Sequence, residues 1–169
     1  MRGRDGAACA PGEHPGSTAL DAWARLLRGH ATLRRSLSAA LQDEHGLSVT
    51  EYEALLLLSR AEEESMRRVD LVEGLGLSPS GVTRLLDGLE RAGLVEKRSC
   101  ASDARVTYAV ITEDGRRRLE ESSRSHVASI EAVFSERYAD EELEALAELL
   151  ARLPGAGAAS GAACSGDGG

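Results

Sequence analysis

The tetrapeptide Gly76-Leu77-Ser78-Pro79 constrains this chain more than any other feature, because it separates two short apolar-periodic segments. Ser78 is a good helix N-cap and Pro79 a good first helical residue, so a new helix must begin there. Before the turn, a short helix of about residues 69–75 is expected to turn Val69, Val72 and Leu75 inward. After it, Val82, Leu85, Leu86 and Leu89 follow the i, i+3, i+4, i+7 pattern, and Gly93 stops the second helix near residue 92. Two helices joined by so tight a turn make a helix-turn-helix.

The strand signal of the chain follows directly. Leu94 to Arg98 is one short run and Arg105 to Thr112 a second, in which Val106, Tyr108 and Val110 alternate with Thr107, Ala109 and Ile111. The polar stretch Ser99-Cys100-Ala101-Ser102-Asp103-Ala104 between them is a hairpin tip, so the helix-turn-helix carries a wing.

Long helices flank this centre. The first runs from about residue 17 to 44, with Leu20, Trp23, Leu27 and then Leu33, Leu37 and Leu41 at helical steps, and Gly46 ends it. Its length suggests packing against another subunit. Ser48 and Glu51 form a capping box for a second helix, whose four consecutive leucines, Leu55 to Leu58, make it central, and the acidic run Glu62 to Glu64 closes it. Thr112 caps a long helix with the stripe Leu119, His126, Val127, Ile130, Val133, Phe134 and Tyr138, and a last helix covers about residues 140–153. The fold class is therefore mainly α, or α+β by virtue of one hairpin: a winged helix-turn-helix with long N- and C-terminal dimerisation helices.

Composition sets the domain limits. All 36 Leu, Val, Ile and Phe residues lie between Leu20 and Leu153. Residues 1–16 and 154–169 are dominated by small residues and carry no apolar periodicity, so both are expected to be disordered tails. Residues 17–153 form the domain, with 17–46 and 113–153 as dimerisation helices and 47–112 as the central lobe. The formal charge of -8 excludes a uniformly basic nucleic-acid coat but not a local basic patch. Residues 66–112 hold seven basic and six acidic side chains, against six and eleven in residues 113–153. Cys9, Cys100 and Cys164 form no disulfide framework. No apolar run is long enough to span a membrane, no signal-peptide core is present, and a reducing cytoplasm fits.

The candidate site lies on the second helix of the motif and on the wing. Ser80, Thr83 and Arg84, with Gly81, Asp87, Gly88 and Arg91, point away from the apolar face. Small residues let a helix enter a major groove, hydroxyls bond phosphates or base edges, and arginine grips guanine in two places. Arg98 and Arg105 on the wing suit a minor groove, and Asp103 would orient an arginine there. The residue-level alternative is a solvated helix face and ordinary surface charge. Trp23, His30, Tyr52 and His126 are candidates to line a ligand pocket, against the plainer reading of core or interface aromatics; Asp70 could add a polar contact. A redox role for Cys100 and zinc binding by the histidines have little support, since no activating cations and no ligand spacing are evident. No dinucleotide, nucleophile-elbow or metalloprotease motif occurs, so neither an enzyme nor a cofactor is indicated.

In combination these segments resemble the MarR-type bacterial transcription regulators. The residues that carry the resemblance are Leu77-Ser78-Pro79-Ser80-Gly81-Val82-Thr83-Arg84-Leu85, Leu89-Glu90-Arg91-Ala92-Gly93-Leu94-Val95, and the wing with Arg98, Asp103-Ala104-Arg105 and Val110-Ile111-Thr112-Glu113-Asp114-Gly115. The resemblance implies a homodimer that binds a double-stranded, pseudo-palindromic DNA operator and regulates transcription, typically as a repressor. It places DNA contacts on Ser78, Ser80, Thr83, Arg84, Arg98 and Arg105. It also implies a small aromatic or acidic effector bound between the dimer base and the lobes. The alternative is a winged-helix module that binds another protein and has lost specific DNA binding. The acidic net charge favours that alternative; the Arg84, Arg98, Arg105 set speaks against it.

Overall fold

The computed structural model describes residues 18–99 and 107–155. It is mostly helical, with one small antiparallel sheet, in the order α1 (Thr18–His45), α2 (Val49–Arg60), a 3-10 turn (Glu62–Glu64), β1 (Ser65–Arg67), α3 (Arg68–Leu75), α4 (Pro79–Arg91), β2 (Val95–Ser99), β3 (Thr107–Ile111), α5 (Glu113–Ser135) and α6 (Asp140–Ala151). No helix among the described residues is long and apolar enough to cross a membrane.

Helix ends follow local chemistry. Gly46 leaves α1 at φ +67°, a conformation that costs glycine little. The Ser48 hydroxyl then accepts from the Glu51 backbone at 3.2 Å while the Glu51 carboxylate accepts from the Ser48 backbone at 2.8 Å, completing the capping box of α2. Thr112 caps α5 in the same way, its hydroxyl accepting from Gly115 N at 3.0 Å.

The core sits between α2, α3, α4, the foot of α1, the start of α5 and the sheet. Ala54, Leu55, Leu58, Leu71 and Val82 are wholly buried, and Leu41, Leu86, Leu89 and Val95 nearly so. Arg34 ties α1 to α2, donating to Glu53 at 2.8 Å and to Thr50 at 2.9 Å. Only the C-terminal half of α1 is used in this way. Its first half leaves Leu20, Trp23, Leu26 and Leu27 exposed, as α5 leaves Val127, the link after it Tyr138, α6 Leu149 and Leu150, and the turn beyond α6 Leu153.

Three expectations need correction. The sheet has a third strand, β1, which pairs with β3 through Ser65↔Val110 and Arg67↔Tyr108, giving the order β1-β3-β2. Three residues are too few to display an alternation, and β1 is a strand only because β3 lies beside it. For the same reason β3 is not half-buried: Ala109, Val110 and Ile111 are buried in succession in the central strand. Finally, α3 leaves β1 with its phase already set. Leu71 becomes its buried residue, Val72 and Leu75 pack at the core's edge, and Val69 is 61% exposed rather than inward.

The joint between α2 and α5 contains a buried histidine. His126 tilts its ring against Tyr52 with centroids 4.6 Å apart, and its Nδ1 has no hydrogen-bond partner among the described residues. Burial lowers its pKa below the ordinary 6.5, opposed only in part by the charge of Glu53. Above that value both folded and unfolded chains hold a neutral ring. As the pH falls through it, the unfolded chain takes up a proton that the folded chain resists, and stability is lost. Urea midpoints at pH 7.5 and 5.5 are expected to drop more for the wild type than for His126→Phe; equal drops would place the acid sensitivity elsewhere.

Candidate nucleic-acid interface

The candidate interface comprises α3, α4 and the β2–β3 pair. Gly76 ends α3 at φ +62°, and the chain re-enters a helix within three residues. The Ser78 hydroxyl accepts from Gly81 N at 3.1 Å and lies 3.2 Å from the Ser80 hydroxyl, so Ser78 is first of all the cap of α4. Val82, Leu86 and Leu89 anchor the inner face of α4, and this fixes what its outer face presents. Ser80 and Arg84 are exposed there. Thr83 is half-buried, its hydroxyl donating to Pro79 O at 2.9 Å.

The electrostatics sort the cations of the lobe into two groups. Arg67 is held bidentately by Asp70, both bonds at 2.8 Å, which raises the guanidinium pKa and lowers that of the carboxyl. Lys97 sits between Asp87 at 2.5 Å and Glu90 at 2.8 Å, and hydrogen bonds to these two carboxylates raise its pKa. Arg98 pairs with Glu96 at 2.8 Å on the exposed surface of β2. Arg91 donates to the Asp87 backbone carbonyl at 3.1 Å. Arg84 has no hydrogen bond or ion pair among the described residues, and Arg68 has no carboxylate partner among them, only the Thr83 hydroxyl at 3.5 Å. A cation left without a carboxylate at a protein surface is available to an external anion.

The structure thus brings Ser78, Ser80, Thr83 and Arg84 onto one end of one helix, with Arg98 on the neighbouring strand. Asp103, Arg105 and Cys100 lie outside the described residues. The pairing of Lys97 with Asp87 and Glu90 and the approach of Arg68 to Thr83 join different elements and were not legible in the sequence, whereas the Arg67–Asp70 and Arg98–Glu96 pairs close within three residues.

Of the four pocket candidates, Tyr52 and His126 come together among the described residues, and Trp23 and His30 do not join them. Trp23 and His30 are exposed on α1, while Tyr52 is buried against His126. A groove of about 530 Å³ runs along α5, lined by Ser59, Leu119, Ser123, Val127 and Ala128 with Arg116, Arg124, Glu120 and Glu131. Tyr52 stands behind it, its hydroxyl 3.2 Å from that of Ser123. Asp70, the other polar candidate, is committed to Arg67.

Comparison with known proteins agrees with this arrangement. The MarR family profile matches residues 45–106, from the end of α1 into the hairpin. The chain is 33% identical over 108 residues to the HTH-type transcriptional repressor YetL of Bacillus subtilis, spanning 64% of this chain and 64% of YetL. The crystal structure of AbsC, a MarR family transcriptional regulator from Streptomyces coelicolor, superposes with a TM-score of 0.70 at 32% identity, covering 80% of this chain and 91% of AbsC. Sco3205 from the same organism, solved in complex with DNA, shares the fold with a TM-score of 0.72 at 21% identity, covering 83% of this chain and 88% of its own. The chain belongs to the MarR family of transcriptional regulators.

Proposed function

We propose that the chain is a homodimeric repressor that binds a pseudo-palindromic operator and releases it in response to a small aromatic or acidic effector. The observation that carries the reading is the outer face of α4: exposed Ser80 and Arg84, the latter without a partner among the described residues, on a helix whose inner face is locked in the core. Such a helix can enter a major groove without cost to the fold. Ser78, Ser80, Thr83 and Arg84 would meet DNA there, with Arg98 and, between β2 and β3 in the sequence, Asp103 and Arg105 serving the minor groove. YetL is named a repressor, and Sco3205 was solved with DNA.

Residues 17–46 and 113–153 would form the dimer base. Trp23 at 58% exposure and Leu149 at 56% leave apolar surface that one chain does not cover, and a second copy covering it would bury on the order of 2,000 Å². Half-sites would then lie about one helical turn apart, so that both recognition helices reach the same side of the duplex. The groove along α5 is mainly apolar, with Arg116, Arg124, Glu120 and Glu131 at its edge, and would hold the effector's aromatic part. The protein would act in the cytoplasm, where its DNA is.

Fluorescence anisotropy against the gene's own upstream region and scrambled DNA, with sedimentation of the free protein, tests the reading. A preference of about 10³-fold or more that weakens with salt is expected, from a dimer at micromolar concentration. A monomer would remove the dimer from the proposal. Weak, equal binding to all genomic fragments would favour a protein-binding module.

A further inference from the structure

We propose that Arg68, at the start of α3, is a DNA-backbone contact, and that the cleft it forms with Thr83 and Tyr108 seats one phosphodiester group beside the recognition helix. The inference rests on the operator-binding reading and adds to it a residue outside α4 and the wing. The cleft has a volume of about 160 Å³ and is lined by Arg68, Thr83, Leu86, Lys97, Thr107, Tyr108 and Ala109.

Its charge balance identifies the residue. Lys97 reaches the cleft wall, but its ammonium is already shared by Asp87 and Glu90. The neighbouring Arg67 is likewise neutralised by Asp70. Arg68 is the cation of the cleft that no described carboxylate balances. Its 3.5 Å approach to the Thr83 hydroxyl is longer than an ordinary hydrogen bond, so the fork of the guanidinium retains its donors. Thr83 spends its hydroxyl proton on Pro79 O, so that oxygen offers lone pairs toward Arg68, whose guanidinium lies next to α4. In a helix-turn-helix the first helix crosses the sugar-phosphate backbone while the second enters the groove. An arginine on the first helix, beside the first turns of the second, therefore lies where a phosphate passes, and arginine matches phosphate geometry with two parallel bonds.

The test uses the full-length protein, operator and scrambled duplexes, and a salt titration. Arg68→Gln is expected to reduce the slope of log affinity against log salt by about 0.9, which is about an eightfold loss at 0.1 M salt, and to do so equally on both duplexes. Arg68→Lys is expected to keep the slope, since the charge is retained. Three results overturn the inference while leaving the operator reading intact: an unchanged slope and affinity for Arg68→Gln; a loss confined to the operator, which would signify a base contact; or an equal loss for Arg68→Lys, which would signify a structural role. Absence of salt-dependent binding by the wild type overturns both.

Discussion

Arg84→Ala is expected to weaken operator binding by about 1–3 kcal/mol, roughly 5- to 150-fold, and binding to random DNA by less. The expectation follows from position. Arg84 is exposed on the outer face of α4 and makes no ion pair or hydrogen bond among the described residues, so truncation removes little from the free protein. Val82, Leu86 and Leu89 keep the helix in place in the variant, so the measured loss reports on the DNA complex. Competition anisotropy with operator and scrambled duplexes at one salt concentration separates two roles: a larger loss on the operator marks a base contact, and an equal loss marks a backbone contact. No loss on either duplex would remove α4 from the interface and the operator reading with it. An unchanged melting temperature is the control.

The largest effect on stability is expected at Gly115. This residue lies in the first turn of α5, buried against the end of the hairpin. A Cβ there would lie 2.8 Å from Ile111 Cγ1, 3.1 Å from the Leu94 carbonyl carbon, and closer still to its oxygen. Both Leu94 atoms are backbone and cannot rotate away. The same carbonyl accepts from Thr112 N at 3.1 Å, so moving it also disturbs the junction of hairpin and helix. Gly115→Ala is expected to cost about 3 kcal/mol, the upper end of the usual overpacking range, and to lower the melting temperature by roughly 10 °C. Gly29→Ala provides the contrast. Nothing in the same chain lies within 4 Å of a Cβ there, so the change adds no clash within one protomer. Equal melting temperatures for Gly115→Ala and wild type would show that α5 can shift away from Leu94.

The features legible in the sequence are those governed by neighbours within a few residues. Ser48 with Glu51, Ser78 with Pro79, and Thr112 with Gly115 announce helix starts because the capping bonds close within three residues. The inner face of α4 was legible because Val82, Leu86 and Leu89 recur at the helical period, and the outer face followed by subtraction. That is why Ser80, Thr83 and Arg84 could be named in advance as groups outside the apolar face of α4.

What tertiary structure decided involves partners far apart in the chain. Ser65 to Arg67 carry no strand signal of their own and become β1 only when β3 supplies hydrogen bonds to them. That pairing sets the phase in which α3 begins, buries Leu71 in place of Val69, and leaves Arg68 beside Thr83. The same docking neutralises Lys97 with Asp87 and Glu90, so a count of basic residues overstates the charge available to DNA. It separates Tyr52 from Trp23 and His30, which helical spacing alone had made equal candidates for one pocket. Capping and periodicity act over a turn of helix and are written in adjacent residues. Strand pairing, burial and charge compensation depend on which distant segments meet, and only the folded chain settles that.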